Sequence, residues 1–139
     1  MSTDKKIEVR YFSKTGNTKK LAEAIANTLG VMAESVETPL EGNVDILFLG
    51  SSVYGAGVDT SIKTFINSLD SQVKKVVNFS TAAILPSTYA QIKKLLSVKG
   101  IKLDEREFHC RGEFLLMHKG RPNAQDIKKA QAFANTIVS

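Results

Sequence analysis

The sequence predicts a single α/β domain, residues 1–139, in which helices cover both faces of an open parallel sheet. Short apolar runs alternate with helical stretches along the chain, and this order favours parallel pairing with right-handed crossovers. Residues 44–51 form a nearly continuous apolar run, as expected of a strand that is covered on both faces. A chain of 139 residues buries enough surface to fold as one domain without a disulfide or a metal ion.

The first strand and the first helix are predicted by a change in the period of the apolar residues. Residues 7–13 are rich in branched and aromatic side chains, which favour a strand. Residues 17–29 then carry leucine or isoleucine at every fourth position, which places these side chains on one face of a helix. Gly30 follows as the residue expected to end that helix.

The next two strands follow without a clear helix between them. Residues 31–38 are a possible second strand, and the apolar run of residues 44–51 is the third. We expect a short helical turn near residues 39–42, or none. The second half of the chain returns to alternating elements and has the order α, β, α, β, α.

Turn and capping residues mark the remaining elements. Gly100 is expected to end one helix, and Asn123 with Asp126 resembles a capping box at the start of the last. The remaining predicted helices are residues 60–69, 87–98 and 123–138, and the remaining predicted strands are residues 75–80 and one within residues 102–116.

Composition narrows the classes of function. The formal net charge is +5, but the lysines come mostly in pairs typical of solvated helix faces, without an aromatic pattern or a nucleic-acid motif. We therefore expect no nucleic acid as partner. The chain starts with polar residues and has no apolar stretch long enough for a signal sequence or a membrane span. With Cys110 as the only cysteine, these features favour a cytoplasmic protein that does not bind membranes.

The predicted topology locates a binding site before any motif is considered. In open parallel sheets ligands lie beyond the carboxyl ends of the strands, at the point where the strand order reverses. The loops at this edge are expected to be residues 13–18, 51–58 and 80–87.

The first of these loops has the chemistry of a phosphate site. Three hydroxyl groups occur within six residues, Gly16 permits a tight turn, and Thr18 opens a helix whose free N–H groups favour an anion. The alternative is an ordinary polar turn with a helix cap. Neither the nucleotide P-loop motif nor the dinucleotide glycine motif is present. A cysteine phosphatase would need a cysteine that opens a phosphate loop, whereas Cys110 lies late in a predicted strand.

The sequence of residues 9–18, VRYFSKTGNT, followed by Leu21-Ala22 and Ile25-Ala26, resembles the phosphate-binding segment of flavodoxins. Residues 49–55, LGSSVYG, resemble the second flavin loop of that family, and residues 79–82, FSTA, resemble the start of the third. The similarity extends over nearly the whole chain and corresponds to the short-chain form. It implies a three-layer α/β/α sandwich with a five-stranded parallel sheet in the order 2-1-3-4-5.

The resemblance also implies an FMN cofactor and assigns residues to it. The first loop would bind the phosphate, the second would flank the isoalloxazine ring, and the third would approach the pyrimidine edge. Tyr54 would stack on the ring or pack on the domain, and Gly55 would allow a peptide flip or serve as a simple turn residue. The implied cofactor-binding residues are Ser13, Lys14, Thr15, Gly16, Asn17, Thr18, Ser52, Val53, Tyr54, Gly55, Ala56, Gly57, Ser80, Thr81, Ala82 and Ala83.

The implied function is electron transfer between a reductase and a partner oxidoreductase, by a monomer or a weak dimer. Flavin carries the redox chemistry, so no catalytic acid, base or nucleophile and no metal ligand is assigned. Two alternatives stay open: an FMN-dependent NAD(P)H or quinone reductase, and a flavin-containing activator module for one partner enzyme.

The chain departs from the flavodoxin pattern at several positions. It is basic, whereas carriers of this family are generally acidic, and it contains no tryptophan. Strand alternation places Glu8 and Arg10 on one face of the first strand, where Arg10 could pair with Glu34 or Glu37. The segment of residues 109–111 could contact the flavin or a partner, but the favoured interpretation is a buried Cys110 with exposed neighbours. His118, Lys119 and Arg121 are interpreted as a solvated loop or a basic docking patch.

Overall fold

The computed structural model describes residues 5–53, 58–82, 87–112 and 118–139. Strands and helices alternate along the chain, apart from β2 and β3, which follow each other directly. In chain order the elements are β1 (Ile7–Tyr11), α1 (Asn17–Leu29), β2 (Ala33–Ser35), β3 (Ile46–Val53), α2 (Thr60–Ser68), β4 (Val76–Ala82), α3 (Tyr89–Lys99), β5 (Leu103–Arg111) and α4 (Ala124–Val138).

The five strands form one parallel sheet in the order β2-β1-β3-β4-β5, which confirms the predicted fold class and strand order. The strand order reverses between β1 and β3, where Tyr11 is opposite Gly50. The β3–β4 ladder continues without interruption to the pair Val53 and Ala82. The two central strands that form this ladder are β3, the middle strand of the sheet, and β4, which lies between β3 and β5.

Two apolar clusters fill the space on the two faces of the sheet. On one face, Phe48 and Phe79 pack with residues of α1 and α4. On the other, Leu47 and Leu49 pack with residues of α2 and α3. These side chains are almost fully buried, and the alternation along β3 directs successive residues to opposite faces. The arrangement gives the three layers α, β and α.

Several element boundaries differ from the prediction. Strands β3 and β4 each extend two residues further than predicted, because their ladder continues as far as Val53 and Ala82. Strand β2 has three residues instead of eight, since it lies at the edge and pairs only with β1. Helix α3 begins at Tyr89, two residues later than predicted. No helical turn forms at residues 39–42, so the second of the two expected outcomes is correct.

The predicted helix ends are confirmed. Gly30 and Gly100 follow α1 and α3 in the left-handed conformation, which costs glycine little. At the start of α4, the side chain of Asn123 accepts a hydrogen bond from the N–H of Asp126, and the Asp126 carboxylate accepts one from the N–H of Asn123. This reciprocal pair is the capping box that the sequence indicated.

The predicted pairing of Arg10 with Glu34 or Glu37 is wrong. Its guanidinium pairs with Glu8 on the same strand, at 2.9 Å between Nη1 and Oε1. It also donates to the carbonyl oxygens of Thr38 (2.9 Å) and Pro39 (3.1 Å). Because β2 ends at Ser35, the chain beyond it lies over β1 and supplies carbonyl oxygens in place of Glu34 or Glu37. The charge of Arg10, which is 3 % exposed, is satisfied in this way.

In residues 5–53, 58–82, 87–112 and 118–139, no helix has both the length and the apolar character needed to cross a bilayer.

Asp104, at the start of β5, links fold stability to pH. The Arg106 guanidinium holds the pKa of the Asp104 carboxyl well below its usual range, with a further contribution from Lys75. A carboxylate with a lowered pKa in the folded state stabilises the fold above its unfolded pKa of 3.8, and that contribution is lost as the pH falls.

We expect Asp104→Asn to lower the free energy of unfolding at neutral pH by about 1–2 kcal/mol. The difference from the unsubstituted protein should shrink as the pH falls from about 5 to about 2. Urea unfolding at a series of pH values measures both effects, with Glu105→Gln on the same strand as an exposed control. A difference that stays constant with pH would refute the linkage.

Candidate functional site

The predicted site lies at the carboxyl edge of the sheet, where the strand order reverses. The N–H of Phe12 donates to the carbonyl oxygen of Gly50 at 3.1 Å, so the chain leaving β1 still follows β3 for one residue. It then departs toward α1 as residues 13–16. The segment that connects β1 to α1 therefore starts beside β3, at the position where open parallel sheets bind ligands.

The turn before α1 is held by its own serine. The N–H of Gly16 donates to Ser13 Oγ at 3.0 Å, which uses the hydroxyl as an acceptor and leaves its proton available for donation. Gly16 has a φ of +93° and is the N-cap residue of α1, and no side chain of the described residues caps the helix. Lys14 and Thr15 are exposed beside it. Backbone N–H groups, hydroxyl groups and the helix dipole together fit an anionic ligand.

Asn17 and Thr18 begin α1 and are buried. The hydroxyl of Thr18 lies 2.9 Å from the hydroxyl of Thr81 on β4, and it donates to the carbonyl oxygen of Ser51 on β3 at a longer 3.4 Å. Thr18 thus connects the turn of residues 13–16 to the ends of β3 and β4. In this arrangement the side chain of Thr18 faces the sheet.

Close packing at Gly50 brings α1 near the sheet. A Cβ atom on Gly50 would lie 2.3 Å from Phe79 Cε2 and 3.0 Å from the methyl carbon of Thr18. Real Cβ atoms do not approach an aromatic ring so closely. Glycine at this position therefore leaves room for the ring of Phe79 and for the methyl group of Thr18.

The residues assigned to the second loop are divided by the structure. Ser52 and Val53 belong to β3 instead of the loop, because β3 remains paired with β4. Tyr54, Gly55, Ala56 and Gly57 lie outside the described residues, so their predicted roles stay predictions.

The start of α2 lies near the first loop. Asp59 caps α2, where its carboxylate accepts a hydrogen bond from the N–H of Ser61 at 2.9 Å. This hydrogen bond lowers the pKa of Asp59, and the nearby charge of Lys14 lowers it further. The first loop and the start of α2 are therefore electrostatic neighbours at the carboxyl edge.

The residues assigned to the third loop also lie in a strand. Ser80, Thr81 and Ala82 complete β4, and the carbonyl oxygen of Ala82 accepts a hydrogen bond from the N–H of Gly112 at 3.2 Å. Ala83 lies outside the described residues. The structure thus brings the first-loop residue Thr18 together with Thr81, and it places Ser52 opposite Thr81 in the ladder.

A group of polar residues beneath this edge was not anticipated from the sequence. Asn78 of β4 and Thr88, which precedes α3, are fully buried and hydrogen-bonded to each other. Asn78 also donates to Glu107 of β5. The sequence contained one signal for this group, which is an asparagine inside the otherwise apolar start of β4.

Cys110 is buried, as the favoured interpretation predicted, and His109 beside it is exposed. Burial raises the pKa of the Cys110 thiol to about 12, with a contribution from Asp126, so the thiol is protonated at neutral pH. Arg121 does not act as a free cation, because it forms two hydrogen bonds with Asp126, of 2.6 and 2.9 Å. Among the described residues, no group of His, Cys, Asp and Glu could hold a metal ion.

Comparison with known proteins agrees with this geometry. The family model described as "Flavodoxin domain" matches residues 8–115. An uncharacterized protein of Methanocaldococcus jannaschii is 33% identical over an alignment of length 135, and the match covers 88% of this chain and 90% of the relative.

Among solved structures, a flavodoxin from the domain Archaea superposes with a TM-score of 0.76 at 18% identity and covers 95% of both chains. Oxidised flavodoxin 1 of Bacillus cereus superposes with a TM-score of 0.72 at 18% identity, covering 96% of this chain and 97% of its own. These two structures show that the chain shares their fold.

The site and the comparisons together define a flavodoxin-like α/β protein. The chain belongs to the flavodoxin domain family, because the family model covers most of its length.

The contact between Thr18 and Thr81 can be tested by a double-mutant cycle. Thr18→Val and Thr81→Val should each lower the free energy of unfolding by about 1–2 kcal/mol, because each removes a hydrogen bond from the other buried hydroxyl. The double substitution should lower the free energy of unfolding by clearly less than the sum of the two single effects, since it removes both members of the pair. Urea unfolding gives the three values, and Thr64→Val on the exposed face of α2 is the control. Additive effects would show that the two hydroxyl groups do not interact.

Proposed function

We propose that this chain binds FMN and transfers electrons between a reductase and a partner oxidoreductase. The observation that carries the proposal is the turn of residues 13–18 at the reversal of the strand order. Ser13 has its proton available, Gly16 adopts a positive φ, and the start of α1 has no side-chain cap among the described residues. This donor set suits a phosphate group without requiring a charged side chain.

The location of the turn supports FMN in particular. In sheets of the order 2-1-3-4-5, FMN binds where β1 and β3 diverge, and the turn begins where Phe12 leaves Gly50. In this proposal Ser13, Thr15 and the backbone of residues 14–18 hold the phosphate. Thr18 would contribute mainly through its N–H, because its hydroxyl bonds to Thr81 and Ser51.

The ring of FMN would lie between the ends of β3 and β4. Ser52 and Val53 end one strand, and Ser80, Thr81 and Ala82 end the other. Tyr54, Gly55, Ala56, Gly57 and Ala83 complete the proposed ring site. When bound, FMN supplies one-electron and two-electron redox chemistry, and the role of this chain is to bind it, orient it and set its environment.

The charge of the chain bears on its partner. With a formal net charge of +5, the protein would be steered toward acidic surfaces, and this attraction would weaken with increasing salt. We infer that the partner oxidoreductase presents an acidic docking surface. Reduction by a flavoprotein reductase, in the absence of direct NAD(P)H turnover, would agree with a carrier.

Flavin binding can be measured on protein stripped of cofactor, using the loss of flavin fluorescence on addition of FMN or riboflavin. Ser13→Ala should raise the Kd for FMN about tenfold, because it removes a hydrogen bond to a charged group. It should leave the Kd for riboflavin unchanged, since riboflavin has no phosphate.

Ser97→Ala is a matched control. Ser97 lies near the C-terminal end of α3, away from the carboxyl edge of the sheet, and its hydroxyl donates to the carbonyl oxygen of Lys94. Failure of the unsubstituted protein to bind FMN would contradict the proposed function. An equal loss of FMN and riboflavin affinity in Ser13→Ala would contradict the placement of the phosphate.

A further inference from the structure

Polar side chains are concentrated at one end of the layer between the sheet and α3. Farther from the carboxyl edge, Leu47 of β3 and Val76 of β4 direct apolar side chains into this layer. Toward the edge, their places are taken by Ser51, Asn78 and Ser80, all with no exposed surface. Along the described residues of β3 and β4 that face α3, apolar side chains therefore give way to polar ones on the side where the proposed cofactor site lies.

Thr88 connects these residues. It is the N-cap residue of α3 but makes no side-chain cap to its own helix. Its Oγ1 instead accepts hydrogen bonds from Ser51 Oγ at 2.8 Å and from Asn78 Nδ2 at 3.2 Å. Its N–H donates to Ser80 Oγ at 3.3 Å. Thr88 thus ties the start of α3 to both central strands at their carboxyl ends.

Glu107 completes the network from the edge strand β5. Its Oε1 atom accepts a hydrogen bond from Ser87 Oγ at 2.6 Å and a longer one from Asn78 Nδ2 at 3.4 Å. Ser87 in turn accepts from the N–H of Tyr89 at 2.9 Å, so the serine caps α3 while the carboxylate holds the serine. Hydrogen bonds to a carboxylate are stronger than neutral ones, which makes Glu107 the anchor of the group.

A network of this kind fixes position more than it adds stability. Apolar residues of similar volume would fill the same layer without the cost of removing polar groups from water. A fully satisfied network, in contrast, admits few alternative arrangements. All buried polar side-chain atoms among the described residues have a partner. The network therefore sets the positions of three elements relative to one another: the end of β3, the end of β4 and the start of α3.

We propose that Glu107 is a positioning residue for the flavin ring, acting through Ser87, Asn78 and Thr88. By fixing α3 against the two central strands, it holds the backbone of residues 80–82 where it meets the ring. Glu107 itself does not contact the cofactor. This inference rests on the proposed function, and it assigns to β5 a role that the resemblance to flavodoxins did not suggest.

The test compares FMN and riboflavin binding in Glu107→Ala, measured by fluorescence on cofactor-free protein. We expect the Kd to rise about tenfold for both ligands, because the ring is shared and the phosphate site is untouched. Glu107→Gln should restore affinity to within about threefold of the unsubstituted protein, since the amide oxygen still accepts from Ser87 and Asn78. Glu105→Ala removes the same charge from an exposed position of β5 and should have no effect.

A second variant tests the inference in case Glu107→Ala does not fold. Asn78→Leu keeps the branched shape of the side chain and removes its hydrogen bonds, so it should also raise both Kd values while remaining folded by circular dichroism. Riboflavin affinity equal to that of the unsubstituted protein in folded Glu107→Ala or Asn78→Leu would overturn the inference and leave the proposed function intact. Absence of FMN binding by the unsubstituted protein would overturn both.

Discussion

The covering of the sheet on both faces is the constraint on which the rest of the structure depends. Phe48 and Phe79 fill one face and Leu47 and Leu49 the other, so most polar groups of the central strands have to lie near their ends. At the carboxyl edge the parallel strands present Ser51, Ser52 and residues 80–82 together. Open parallel sheets bind ligands at this edge, in the crevice where the strand order reverses.

Hydroxyl groups connect the elements that meet at this edge. Thr18 joins α1 to β3 and β4, while Thr88 joins α3 to the same two strands from the other face. The missing side chain of Gly50 allows the close approach on the α1 side. Hydrogen bonds thus connect the turn that would hold the phosphate with the strand ends that would meet the ring, and the proposed role of Glu107 depends on this connection.

Hydrophobic periodicity was sufficient to predict the element order, and the motif of residues 9–18 led to the strand order through a family resemblance. Strand ends were predicted less well, because Ser52 and Thr81 are polar and the sequence alone indicates a loop at these positions. In the structure both residues continue the β3–β4 ladder. The partners of Arg10 could not be predicted, since three of them are backbone carbonyl oxygens. The network of Glu107 also depends on contacts between residues distant in sequence, which periodicity does not contain.

The central claim is that the turn between β1 and α1 binds the phosphate of FMN. Its most direct test is a nitrogen–proton NMR titration of the cofactor-free protein with FMN. We predict the largest shifts for the amides of Lys14, Thr15, Gly16, Asn17 and Thr18, with a second group at residues 80–82. Riboflavin should reproduce the second group and not the first. Amide shifts confined to other surfaces, or no shifts at saturating FMN, would contradict the account.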